Sequence, residues 1–156
     1  MSPSKETLRD TLAPVVAALR AGLGDGLVAV VLFGSQARGE ATPESDWDFL
    51  VIARHLPSKT LARHFYLKTM LPAAWRARVS IMAKIPQEFE SRLPALYLDI
   101  ALDGIILYDR QAYIKPRLDW LRKQINTNGL KRQRIGRDLM WRWPSPTWSL
   151  GWEGFA

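Results

Sequence analysis

Apolar positions along this chain fall into two rhythms, helical spacing and unbroken runs. Leu8, Leu12, Val15 and Leu19 recur at helical spacing, with Ser4 as the cap. Pro14 lies inside that pattern, so the helix is expected to kink there or to form two pieces. Leu27–Phe33 is a continuous apolar, β-branched run, which predicts a strand buried on both faces. Gly34-Ser35 stops it. Residues 36–45 are polar and contain Gly39 and Pro43, which predicts a turn. Trp47–Ala53 reads as a second strand. A helical pattern follows over 59–74, broken near its end by Pro72. Residues 78–83 predict a third, shorter strand. Pro86 opens a helix expected over 87–102, with Phe89, Leu93, Leu96 and Ile100 on one face. Residues 105–108 read as a fourth strand. Ile114, Leu118, Leu121 and Ile125 give a last amphipathic helix that stops at Asn128-Gly129.

This order predicts an α/β (α+β) chain, with a small mixed β-sheet of about four to five strands and helices packed on it. Its 156 residues suit one domain, expected over 1–128. Residues 129–156 form a basic, tryptophan-rich extension. Four of the seven tryptophans fall in the last sixteen residues, where Pro144, Pro146 and Gly151 preclude a regular helix. These rings either fold back as added core or make a contact surface.

Composition narrows the chemistry. There is no cysteine, which excludes disulfides, zinc-thiolate sites and cysteine nucleophiles. Only two histidines occur, His55 and His64, too few for a histidine-built metal site, and neither is assigned a role. The formal charge is +7 and uneven: residues 110–142 carry ten Lys/Arg against two acids, a net +8, leaving −1 elsewhere. Such a segment suits phosphate, nucleic acid or an acidic partner, and a solvated basic face accounts for it equally well. The N-terminus carries both charge signs with no apolar leader, and no apolar run approaches the ~20 residues of a spanning helix. No membrane association and a cytoplasmic location are therefore expected.

The informative stretch is Phe33-Gly34-Ser35-Gln36-Ala37-Arg38-Gly39, followed by Ser45-Asp46-Trp47-Asp48. Glycine lets backbone approach an anion, and the following N–H groups with a Ser hydroxyl can hold phosphate oxygens. Residues two apart in a strand project to the same side, so Asp46 and Asp48 point together. Two hard oxygen ligands suit Mg²⁺, which prefers carboxylates plus substrate phosphates. Arg38 lies where a guanidinium can clamp phosphate or pair with these acids.

Residues 33–51 resemble the signature of the DNA polymerase beta-like nucleotidyltransferase superfamily, in its small, single-domain minimal nucleotidyltransferase form. The pattern is Gly-Ser, ten residues, then Asp-x-Asp, with Ala-Arg-Gly inside the loop, as in Ala37-Arg38-Gly39. The element order over about residues 8–109 also resembles that fold, including a late strand ending in Leu107-Tyr108. The resemblance implies transfer of a nucleoside monophosphate from an NTP, ATP foremost, to a hydroxyl. It implies that Gly34, Ser35 and Arg38 bind the nucleotide. Asp46 and Asp48 would be the catalytic carboxylates, holding Mg²⁺ or Mn²⁺. It also implies a HEPN-type partner protein, with the chain as the antitoxin that modifies it.

One departure stands out. The family carries a third carboxylate on the strand after the intervening helix, and Ser80 occupies that place. A neutral Ser is a weak ligand and takes no proton at pH 7. No Asp or Glu lies between Asp48 and Glu88. Three readings stay open: a transferase, with Glu88 or another acid entering the site; a catalytically impaired nucleotide- and partner-binding module; and a nucleic-acid binder using residues 110–142 and stacking tryptophans.

Overall fold

A computed structural model describes residues 2–155; Met1 and Ala156, the outer ends of the N-terminal segment and the tail, lie outside the described residues. The elements are α1 (Lys5–Leu23), β1 (Leu27–Phe33), α2 (Ser35–Arg38), β2 (Trp47–Ala53), α3 (Thr60–Met70), α4 (Ala73–Arg76) and β3 (Val79–Lys84). They continue with α5 (Pro86–Ser91), α6 (Ala95–Asp103), β4 (Ile105–Asp109), α7 (Ile114–Thr127), β5 (Lys131–Ile135) and β6 (Asp138–Arg142).

β1 to β4 form one mixed sheet in the order β3-β2-β1-β4. β1 runs antiparallel to both β2 and β4, and β2 runs parallel to β3. The unbroken apolar run of β1 is buried on both sides. Val31, with Leu50 and Ile52, faces Phe89, Leu98, Ile100, Leu118 and Leu121 of the later helices. Val30 and Leu32, with Phe49 and Val51, face Leu8, Leu12, Val15 and Leu19 of α1 and Leu67 of α3. Two cores thus sandwich the sheet, and the side-chain alternation of strands assigns each residue to its layer. Among the described residues no helix is long and apolar enough to cross a membrane.

Several boundaries differ from expectation. α1 runs on as one helix through Pro14, which lies on the exposed face, where the carbonyl it leaves unbonded meets water. Ser4 caps it as expected, accepting a bond from the Thr7 N–H at 3.0 Å. The helix expected over 59–74 ends at Met70, and Pro72 starts the separate turn α4. The single helix expected over 87–102 is two, α5 and α6. Pro94 cannot supply an N–H to a continuing helix and disfavours helical geometry before it, and Arg92 is extended.

The tail beyond Gly129 is more ordered than its prolines suggest. β5 and β6 form an antiparallel hairpin around Gly136, whose φ is 64°. Trp141, Trp148 and Trp152 pack against the later-helix core, and Trp152 stacks on Trp120 at 5.7 Å. Arg132 anchors the hairpin, donating to both oxygens of Asp103 (2.7 and 2.9 Å) and to Asp99 (3.0 Å). The Trp141 indole also donates to Asp99, at 3.2 Å. Asp99 and Asp103 are the clamp that holds the tail. Arg132 is 18% exposed, so its removal leaves the poorly hydrated Asp99 without a cation and Asp103 with only the long Arg38 contact, at 3.5 Å. Arg132→Ala is expected to cost about 1–2 kcal/mol, lowering the thermal midpoint by roughly 2–8 °C. A melt followed by tryptophan fluorescence checks this, with exposed Lys131→Ala as the neutral control.

Candidate active site

The candidate site forms where β1 ends and β2 begins. Antiparallel register sets Phe33 opposite Asp48, so the next residue, Gly34, lies beside the Asp48 side chain. A Cβ on Gly34 would run into the Asp48 carboxylate. Gly34 has φ 77° and ψ −161°, a conformation open essentially only to glycine. The chain then turns into α2. Its Ala37 and Arg38 N–H groups both bond the Gly34 carbonyl, at 3.1 Å each. Ser35 and Gln36 stand at the first helical positions, where N–H groups have no intrahelical acceptor. The Gln36 side chain donates to the Ser45 carbonyl at 3.3 Å, tying the far end of the loop to this turn.

Asp48 is half-buried and Asp46 exposed. Burial pushes the Asp48 carboxyl above its ordinary range; the Asp46 charge adds to this, and Arg38 opposes it. Among the described residues neither Asp46 nor Asp48 has an ion pair, whereas nearby Glu40 and Asp103 are each bound by two arginines. Asp46 lies just before β2 rather than within it, so strand alternation does not set its side chain as expected, but its charge still acts on Asp48, a repulsion that a divalent ion would relieve.

Arg38 lies within reach of this pair but is shared. Its Nε donates to Glu40 at 2.7 Å and its Nη1 to Asp103 at 3.5 Å. Arg134 of the hairpin holds both Glu40 oxygens, at 2.8 and 3.0 Å. The Arg38 hydrogen bond foremost, with help from Arg134, holds the Glu40 carboxyl below the usual range. A chain of alternating charges therefore links the tail to the glycine turn. No local sequence signal pointed to it, because its members lie up to 94 residues apart.

Parallel register sets Ser80 directly beside Asp48, on the exposed start of β3. Glu88 does not take its place. It grips Arg63 through both oxygens (2.6 and 3.1 Å) and accepts the Ile85 N–H at 3.0 Å. Its partner Arg63 also bonds the Ala83 carbonyl, about 10 Å along β3 from Ser80. The Arg63 bond keeps the Glu88 carboxyl below the usual range. Among the described residues no group of three His, Asp or Glu converges to hold a metal. The donor set present, two hard carboxylates, fits a divalent ion that brings its remaining ligands on a triphosphate.

The basic segment 110–142 is largely engaged within the chain. Arg110, Lys115, Arg117, Arg122, Arg132 and Arg134 all form ion pairs. The free basic stripe expected of a nucleic-acid surface is correspondingly reduced.

Comparison with known proteins agrees with this geometry. Residues 18–116 match the family model of the nucleotidyltransferase domain. A protein of Methanocaldococcus jannaschii named "Putative protein adenylyltransferase" is 35% identical over 100 residues, 62% of this chain and 68% of that one. Among solved structures, a chain from a toxin–antitoxin crystallised with AMP-PNP superposes with TM-score 0.54 at 20% identity, covering 74% of this chain and 86% of that chain. A chain from tri-AMPylated Shewanella oneidensis HEPN toxin in complex with MNT antitoxin gives TM-score 0.50 at 17% identity, covering 80% and 88%. These two likenesses concern the fold. A glycine turn set against an Asp-x-Asp strand, on a sheet of this topology and within a matched span of this extent, makes the chain a member of the nucleotidyltransferase domain family.

Proposed function

We propose that this protein transfers AMP from ATP to a hydroxyl of a HEPN-type partner protein in the cytoplasm, as the antitoxin of a toxin–antitoxin pair. The observation that carries the reading is the contact between the unpaired Asp48 and the Gly34 turn. The adenylyltransferase relative and the toxin–antitoxin fold neighbours support the choice of nucleotide and partner. In this reading the free N–H groups of Ser35 and Gln36, with the Ser35 hydroxyl, donate to phosphate oxygens. Arg38 adds positive charge to the same phosphates. Asp46 and Asp48 would hold Mg²⁺ or Mn²⁺ together with the triphosphate. The bound ion would neutralise charge on the triphosphate and on departing pyrophosphate. The acceptor oxygen bonds to the α-phosphorus as the bond to the β-phosphate bridge breaks; pyrophosphate leaves and the acceptor's hydroxyl proton passes to solvent water. Ser80 can donate a hydrogen bond to the acceptor but cannot take its proton at neutral pH.

The neutral Ser80 beside Asp48 favours a second reading, a binder that retains nucleotide and partner but transfers slowly. ATP labelled in its α-phosphate, Mg²⁺ and a HEPN-type partner separate the two. Transfer of label by wild type, rising at least about tenfold in Ser80→Asp, is the expected result. Partner binding with no label transferred by either form would establish the binder instead.

A further inference from the structure

Among the described residues, Lys and Arg without an ion pair are more frequent over residues 54–84 than in the basic segment 110–142. Residues 54–84 contain seven Lys/Arg and no acid. Among the described residues, only Arg63 of these seven has an ion pair. This stretch forms α3, α4 and β3, and β3 is an edge strand bonded only to β2.

A groove of about 620 Å³ runs along that edge. Its walls include Leu61 and the four consecutive residues Ile81, Met82, Ala83 and Lys84, together with Arg63 and Glu88, which neutralise each other as an ion pair. Successive strand side chains point to opposite faces, so four in a row can line one groove only if it follows the edge itself. The Arg78 carbonyl points inward, accepting the Trp47 N–H, and the Ala83 carbonyl points outward to Arg63. Strand backbone alternates, so both polar groups of Ile81 and the N–H of Ala83 also face outward. These are the groups that pair with an added strand. On the helix side, Leu61 and Phe65 lie one turn apart and are 67% and 60% exposed, opposite the buried Arg63 and Leu67.

We infer that this groove docks an extended acidic segment of a partner protein, with apolar side chains alternating between its acids. Backbone pairing along β3 supplies register, Leu61 in the groove wall and Phe65 one turn further along α3 supply apolar contact, and Lys84 in the lining, with Lys59 at the start of α3, selects for acids. An extended peptide fits better than nucleic acid, because the groove walls are aliphatic and strand-edged rather than a platform of stacked aromatics. The groove follows the strand that carries Ser80, so a docked partner reaches the Asp46–Asp48 corner from the same edge. The inference deepens the transferase reading and rests on it for the partner's role as acceptor.

The test is fluorescence anisotropy on the whole chain, with three probes: a labelled peptide alternating Glu and Val, its Lys-for-Glu counterpart, and oligothymidylate. The acidic peptide is expected to bind at least about tenfold tighter than the basic one, a difference worth about 1.4 kcal/mol. The double variant Leu61→Glu/Phe65→Glu, at exposed positions, is expected to weaken it by about tenfold or more while leaving ATP affinity unchanged. Lys84→Glu is expected to weaken it as well. Tighter binding of oligothymidylate, or an acidic peptide that binds wild type and double variant alike, would overturn the proposal. ATP binding without any peptide binding would overturn it too. Peptide binding without Mg²⁺-dependent ATP binding would support the groove and overturn the transferase reading instead.

Discussion

Asp48→Asn is expected to abolish transfer and to weaken Mg²⁺-dependent ATP binding by more than about a hundredfold, the upper end of what loss of a merely supporting group costs a metal site. The same change is expected to raise the thermal midpoint at neutral pH by on the order of 2 °C. Both effects have one cause. Burial, and then the charge of Asp46, push the Asp48 carboxyl upward, so the folded protein carries its charged form at a cost. Asparagine keeps the shape and removes that cost together with the charge proposed to hold the metal. The sign with pH follows. A carboxyl raised on folding binds its proton more readily in the folded state, so wild type recovers stability as pH falls through the raised value toward the unfolded one. The stability advantage of Asp48→Asn should therefore shrink on acidification. Paired melts at neutral and acid pH measure it, and isothermal titration with Mg²⁺ and ATP measures the binding. Equal affinities for wild type and variant would remove Asp48 from the site.

Gly34→Ala is expected to damage fold and site together. The backbone geometry of Gly34 alone costs a residue with a side chain about 1–3 kcal/mol. The added Cβ is also driven into the Asp48 carboxylate, which must leave its place. Loss of at least 2 °C in thermal midpoint and of Mg²⁺-dependent ATP binding should appear together, as estimated from the usual scaling of midpoint with stability. Gly129→Ala separates strain from collision. Gly129 also has a positive φ, 63°, but nothing lies within 4 Å of the position its Cβ would take. It should cost about 1–2 kcal/mol and leave ATP affinity unchanged.

What could be read from the sequence were features written locally. The run Leu27–Phe33 announced a strand buried on both faces, because every residue in it is apolar. The nearness of Gly34 to Asp48 was legible because one residue ends a strand, the other begins the next, and a short polar loop joins them. The family resemblance put Ser80 on the strand after the intervening helix, and the parallel register then sets it next to Asp48. Features written at long range could not be read. Asp99 and Asp103 are clamped by Arg132, about thirty residues away, and nothing around either acid announces the bond. The hairpin was hidden because β5 and β6 are mostly exposed and polar, without the apolar alternation that marks a half-buried strand. Pro94 was legible as a breaker, but the apolar spacing on either side favoured one helix over two.

The corner that joins Gly34 to Asp48 hangs from the two central strands, which pair along β1 from Leu27 to Phe33. Neither half can drift from the other without parting those strands, whose residues fill both cores. Heat should thus offer no folded intermediate in which this corner is lost: it persists while the sheet does, and vanishes with it.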